Sequence, residues 1–171
     1  MALIDWDNKQ WKTKESGDFC FDLEEITEKT FDITAQKWSR IIANVDRGVE
    51  KNQLRNFYDK VLELEEKAMN ADENEFKTKV LPFVKMLNSK VVYASNKQQG
   101  SVNKAFVIFM EESLKQINSK ETFQNFKYLF EAVIGFYEKE DARKSIFFIK
   151  QNKEKNDNRG QNRNNNYRGR R

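Results

Sequence analysis

Ser119–Tyr137 reads SKETFQNFKYLFEAVIGFY, and its apolar residues return at 123, 126, 130, 133 or 134, and 137. That is the three-and-four spacing of one side of a helix with 3.6 residues per turn. A stripe so dense in rings (Phe123, Phe126, Phe130, Tyr137) reads as a buried surface rather than a row for stacking bases. Asn118 or Ser119, with Glu121 just inside, caps its start. Glu131 stands between Phe130 and Ala132, either as an internal partner for Arg55 or as an exposed carboxylate.

Working back along the chain, the same spacing predicts four more helices. Phe31 to Val45 carries Ile33, Trp38, Ile41 and Ile42, with Gly48 where a turn is needed. A second helix starts near Asn52, as its N-cap, and runs to about Met69 on Leu54, Phe57, Val61, Leu64 and Ala68. Acidic Asp72–Glu75 opens a third, in which Pro82 belongs to the first turn, so the regular helix starts nearer Val80 or Leu81. After a break at Asn96–Ser101, Ser101 caps a fourth that packs Val102, Phe106, Phe109 or Met110, and Leu114 or Ile117. The fold expected is all-α: a compact bundle of about five helices over residues 30–150. Residues 1–29, with Trp6, Trp11, Phe19 and Phe21, lack helical spacing and are either loosely ordered or docked on the bundle. Ile146–Ile149 either covers the bundle end or forms a subunit contact.

The chain has 171 residues, no His, one Cys and one Pro. A chain of this length buries a core without staples. The lack of histidine excludes histidine triads, His-assisted zinc sites and Glu-x-x-His di-iron bundles. Glycine-rich phosphate loops and serine elbows are absent too, so neither an enzyme nor a cofactor or metal site is expected. Cys20 allows no internal disulfide and reads as a bystander thiol in a reducing compartment. Acids near the start and the lack of any long apolar run point to a cytoplasmic protein without a membrane span.

Charge is unevenly placed. Of 31 Lys+Arg and 27 Asp+Glu, seven and two lie beyond residue 150, leaving 24 against 25 in the body. The last 21 residues, QNKEKNDNRGQNRNNNYRGRR, hold one aromatic and no aliphatic side chain, so residues 151–171 are expected to stay disordered. Their arginines, Arg163, Arg168 and Arg170 among them, suit non-specific contact with single-stranded nucleic acid. Within the body, no acid occurs between Glu75 and Glu111, whereas Lys77, Lys79, Lys85, Lys90, Lys97 and Lys104 do. Lys79, Lys90 and Lys97 are 11 and 7 residues apart and return to nearly one helix face, with Tyr93 beside them. Such a row suits a phosphate backbone, with sugar or base stacking on the tyrosine.

Three stretches resemble a known family: Val49–Lys67 (VEKNQLRNFYDKVLELEEK), Lys85–Lys97 (KMLNSKVVYASNK) and Ser119–Tyr137. Gln53-Leu54-Arg55, Leu87 through Lys90-Val91-Val92-Tyr93 closing at Lys97, and Phe126 through Phe130-Glu131-Ala132 are similar in order and spacing to the small helical subunit of type III-A CRISPR effector complexes. The similarity covers roughly residues 32–138. This chain has Asn96-Lys97 where the family usually has Gly-Arg, and Gly135-Phe136 where Ala-Tyr is common. Lysine at 97 keeps the charge but loses a bidentate phosphate grip.

The resemblance implies a non-catalytic subunit that self-associates in several copies along a complex holding guide RNA. It implies contact with guide and target RNA and with the backbone and large subunits, which do the chemistry. Transferred onto this sequence, the RNA-binding positions are Arg55, Lys90, Tyr93 and Lys97; Lys79, Lys85 and the tail arginines follow from charge alone. The alternative is a helical adaptor whose lysines meet an acidic protein partner, with no direct RNA role.

Overall fold

The computed structural model describes residues 4–5, 10–11, 19–46, 48–96 and 101–137. Lys97, residues 151–171 and the Ile146–Ile149 cluster lie outside the described residues. The architecture is all-α, as the spacing predicts. Helix α1 is Ala35–Asn44, entered through a π-helical turn at Thr30–Thr34, and α2 is Lys51–Met69. A third rod runs through the short α3 (Glu73–Glu75), a π-helical turn (Phe76–Val80) and α4 (Leu81–Ser95). Helix α5 is Lys104–Gln116, and α6 spans 120–137. Near the start, Ile4–Asp5 and Gln10–Trp11 pair antiparallel, with Ile4 opposite Trp11.

The stripe on α6 is the centre of the core. Phe123, Phe126, Phe130, Val133 and Tyr137 are buried, and the Phe130 ring lies 5.6 to 5.9 Å from those of Tyr58 on α2, Phe106 and Phe109 on α5, and Phe126. Each ring removed from water contributes about 1.5–3 kcal/mol, so α6 is where the other helices converge. At its end, the Tyr137 hydroxyl accepts from Val49 N at 3.1 Å and donates to Val49 O, fastening the α1–α2 link. That link turns through left-handed backbone at Asp46 (φ 51°) and at Gly48 (φ 75°), the glycine expected there.

Asp72 caps the third rod with the reciprocal bonds expected of an Asp-x-x-Glu start: Glu75 N donates to Asp72 Oδ1 at 2.8 Å, and Asp72 N to Glu75 Oε2 at 3.4 Å. Pro82 lies in the first turn of α4. Its missing N–H and its ring disturb the turn before it, which widens so that Leu81 N bonds to Phe76 O, five residues back. Two sequence readings of this rod, an early acidic start and a later regular start, therefore both hold.

Two boundaries differ from expectation. Helix α2 runs Lys51–Met69, with Glu50 rather than Asn52 in the cap position, and the Glu50 side chain makes no cap bond. The cap of α5 is Asn103, not Ser101: its Oδ1 accepts from Phe106 N at 3.0 Å, while its Nδ2 donates to Ile42 O at 2.8 Å and Val45 O at 2.9 Å. One buried amide thereby ends α1 and starts α5. On α6, Ser119 Oγ accepts from Thr122 N at 3.2 Å and Thr122 Oγ1 from Ser119 N at 3.0 Å; Thr122 takes the role expected of Glu121.

Residues 19–25 dock on this bundle. Phe19 and Leu23 are buried, Trp38 Nε1 donates to Phe19 O at 3.0 Å, and Gln116 brackets the segment by accepting from Leu23 N and donating to Phe21 O. Asn125 Nδ2 adds a bond to Leu23 O at 3.0 Å. Cys20 is exposed.

Candidate nucleic-acid interface

Helices α2 and α4 pack together, and their outer sides carry the lysines. On α2, Lys60, Glu63 and Lys67 are exposed at i, i+3 and i+7, one flank of the helix. Lys60 Nζ lies 2.6 Å from Glu63 Oε1. That hydrogen bond is the main influence holding the Glu63 carboxyl below the usual range, and the charges of Lys67 and of Lys90 on α4 add to it. Lys60 thus holds this carboxylate directly, and charges from both helices act on it.

Along α4, Phe83, Met86, Lys90 and Tyr93 recur at three- and four-residue steps, and all are exposed; Tyr93 shows 68% of its surface. The neighbouring stripe, with Val84, Leu87 and Val91, is buried in the core. Lys79 continues the outer stripe from the π-helical turn and pairs with Glu75 at 2.6 Å. The pair lowers the carboxyl of Glu75 and raises the ammonium of Lys79, chiefly through their hydrogen bond. The stripe expected to be lysines beside one tyrosine therefore also bears Phe83 and Met86.

Lys85 points elsewhere. Five residues before Lys90, it stands roughly 140° round the helix, and its Nζ donates to the carbonyls of Leu114 and, at 3.4 Å, Lys115. These belong to the last turn of α5, where backbone acceptors lack helical partners. Burial lowers the Lys85 ammonium below its ordinary value. Arg55 is exposed on α2 but is likewise about 140° round from Lys60. Lys97, Arg163, Arg168 and Arg170 lie outside the described residues.

Lys60 and Lys67 escape a reading by net charge, because Asp59, Glu63, Glu65 and Glu66 surround them in sequence. Their seven-residue separation is the signal that places them together. Glu131 is exposed rather than buried, and it hydrogen-bonds the hydroxyl of Tyr58. Burial is the larger influence raising that phenol, followed by the bond to Glu131. Glu65, more enclosed, accepts from Gln124 Nε2 at 2.8 Å and pairs with Lys127 at 3.2 Å, joining α2 to α6. Among the described residues, no group of three or more His, Cys, Asp or Glu lies close enough to hold a metal ion, and no helix is long and apolar enough to cross a membrane.

Ammonium groups on such a surface can hold phosphates by charge, a contact that carries no base information. Neither curated proteins nor solved structures give a match to this chain. The family profile described as Csm2 Type III-A matches residues 25–143, which spans α1 to α6 and well over half of the 171 residues. The chain therefore belongs to the Csm2 family, the small subunit of the type III-A CRISPR Csm complex.

Proposed function

We propose that this chain is a non-catalytic RNA-positioning subunit of the guide-RNA effector complex, acting in antiviral defence in the prokaryotic cytoplasm. It grips guide or target RNA by the backbone, without sequence specificity, through the outer sides of α2 and α4. The observation that carries the reading is the exposed lysine set on the two packed helices: Lys60, paired with Glu63, and Lys67 on α2, with Lys79, Lys90 and Tyr93 exposed along the third rod. Phosphates arriving there replace a single carboxylate and release counterions. Arg55, on another side of α2, and Lys97 add charge to the contact. Lys85 joins only by leaving Leu114, and Arg163, Arg168 and Arg170 add non-specific affinity from the tail. Other copies of the chain and the backbone and large subunits are its protein partners, and RNA or DNA cleavage belongs to those other subunits.

The test is titration of the purified full chain with labelled single-stranded RNA at two salt concentrations. Binding through several lysines weakens steeply with salt. No measurable affinity even at low salt would overturn direct RNA contact by the subunit and leave the adaptor with an acidic protein partner.

A further inference from the structure

Lysines alone accept phosphates of any nucleic acid, paired or unpaired. The outer stripe of α4 is more particular, because its charges alternate with rings. Phe83 is 52% exposed and Tyr93 68% exposed, while the neighbouring stripe of the same helix is fully packed. In chain order the outer stripe runs Lys79, Phe83, Met86, Lys90, Tyr93.

We propose that this stripe is a stacking platform for unpaired nucleobases, with Phe83 and Tyr93 as the two rings, and that it takes single-stranded RNA in preference to duplex. The inference rests on the RNA-binding reading above and names the form of RNA that the site takes. Ten residues at 1.5 Å each put the two rings about 15 Å apart along the helix, with Lys90 between them and Lys79 one turn before Phe83. A single strand laid along α4 meets an ammonium, a ring, an ammonium and a ring in turn. Bases splayed from such a strand offer their faces to both rings, and every base has such a face, so no sequence preference follows. In a duplex those faces are already stacked, and the rings would meet sugar and phosphate instead.

Charge favours a polyanion over an acidic helix of a protein partner as the occupant. The nearest carboxylates, Glu75 and Glu63, are already paired with Lys79 and Lys60, and no other acid follows until Glu111. The stripe therefore carries ammonium groups at Lys79, held beside Glu75, and at Lys90, with apolar side chains between them and no acid of its own. Met86, 43% exposed, fills the interval between Phe83 and Lys90 without adding a polar group that would demand a specific partner.

The experiment uses the full chain and two probes, a labelled oligouridylate and a blunt RNA duplex of the same length. Phe83→Ala and Tyr93→Ala are each expected to weaken oligouridylate binding about tenfold and to leave duplex binding unchanged. Lys79→Ala with Lys90→Ala should weaken both. Phe83→Trp should restore single-strand affinity and show indole fluorescence quenched on binding; both rings are exposed, so circular dichroism should show these variants folded. Ring variants that bind oligouridylate as tightly as the parent, while the lysine variant does not, would overturn stacking and leave the phosphate contact standing. Failure of the parent to bind either probe would overturn both readings. Unchanged RNA affinity combined with loss of incorporation into the assembled effector complex would assign the stripe to a protein partner instead and overturn the proposal.

Discussion

The ammonium of Lys85 donates to the carbonyl oxygen of Leu114, tying α4 to the last turn of α5. The contact divides the lysines of α4 into two kinds. Lys90 is exposed, whereas Lys85 caps a neighbouring helix. Lys85→Ala should therefore lower stability by about 1 kcal/mol, the usual worth of a part-exposed hydrogen bond from a charged donor. Its effect on RNA affinity should be well below that of Lys90→Ala. Urea unfolding and RNA titration of the two variants side by side check the division, and the reverse ranking would remove it.

Asn103 makes three bonds in a buried place, two to the end of α1 and one to the start of α5. Asn103→Ala deletes a helix cap and takes the amide from Ile42 O, whereas Val45 O keeps its bond from Gly48 N, so it should cost about 2 kcal/mol. Ser101→Ala, at the cap position expected from the sequence, should cost much less. Thermal unfolding of both variants separates the two positions.

Tyr58 has a stated pH signature. Burial and the hydrogen bond to Glu131 raise its phenol above the ordinary 10.0, so the fold favours the protonated form. A group raised in the folded state contributes stability that is full below its unfolded value and is lost as pH climbs beyond it. The parent should therefore lose stability above pH 10.0 more steeply than Tyr58→Phe. Urea midpoints of the two proteins below and above that pH measure the difference, and parallel curves would contradict the assignment.

Much of the bundle is legible in the sequence because helical periodicity is a local property. The rings of α6 and the stripe of α2 could be placed from spacing alone, Gly48 marked its turn, and the acids of Asp72–Glu75 marked the start of the third rod though not that Asp72 caps it. What escaped was set by contacts distant in sequence. Asn103 outcompetes Ser101 as a cap because it also satisfies Ile42 and Val45, some sixty residues away. Residues 19–25 have no period to read, and their order comes from Trp38, Gln116 and Asn125 bonding their backbone. The π-helical turn before Pro82 is a compromise between two starts, each visible separately. At the candidate interface, the acid-free window pointed to Lys79 and Lys90, but it gave no sign that Lys85 turns to α5 or that Lys60 and Lys67 join from α2.

The most direct measurement is target-RNA affinity of the reconstituted effector complex carrying either Lys60→Glu with Lys90→Glu or a chain truncated after Lys150, with circular dichroism showing both chains folded. The expected result is a large loss of specific target engagement for the charge-reversal variant and, for the truncation, loss of non-specific affinity alone. Full target engagement by the charge-reversal variant, with its loss in the truncated chain, would contradict the assignment of RNA contact to α2 and α4.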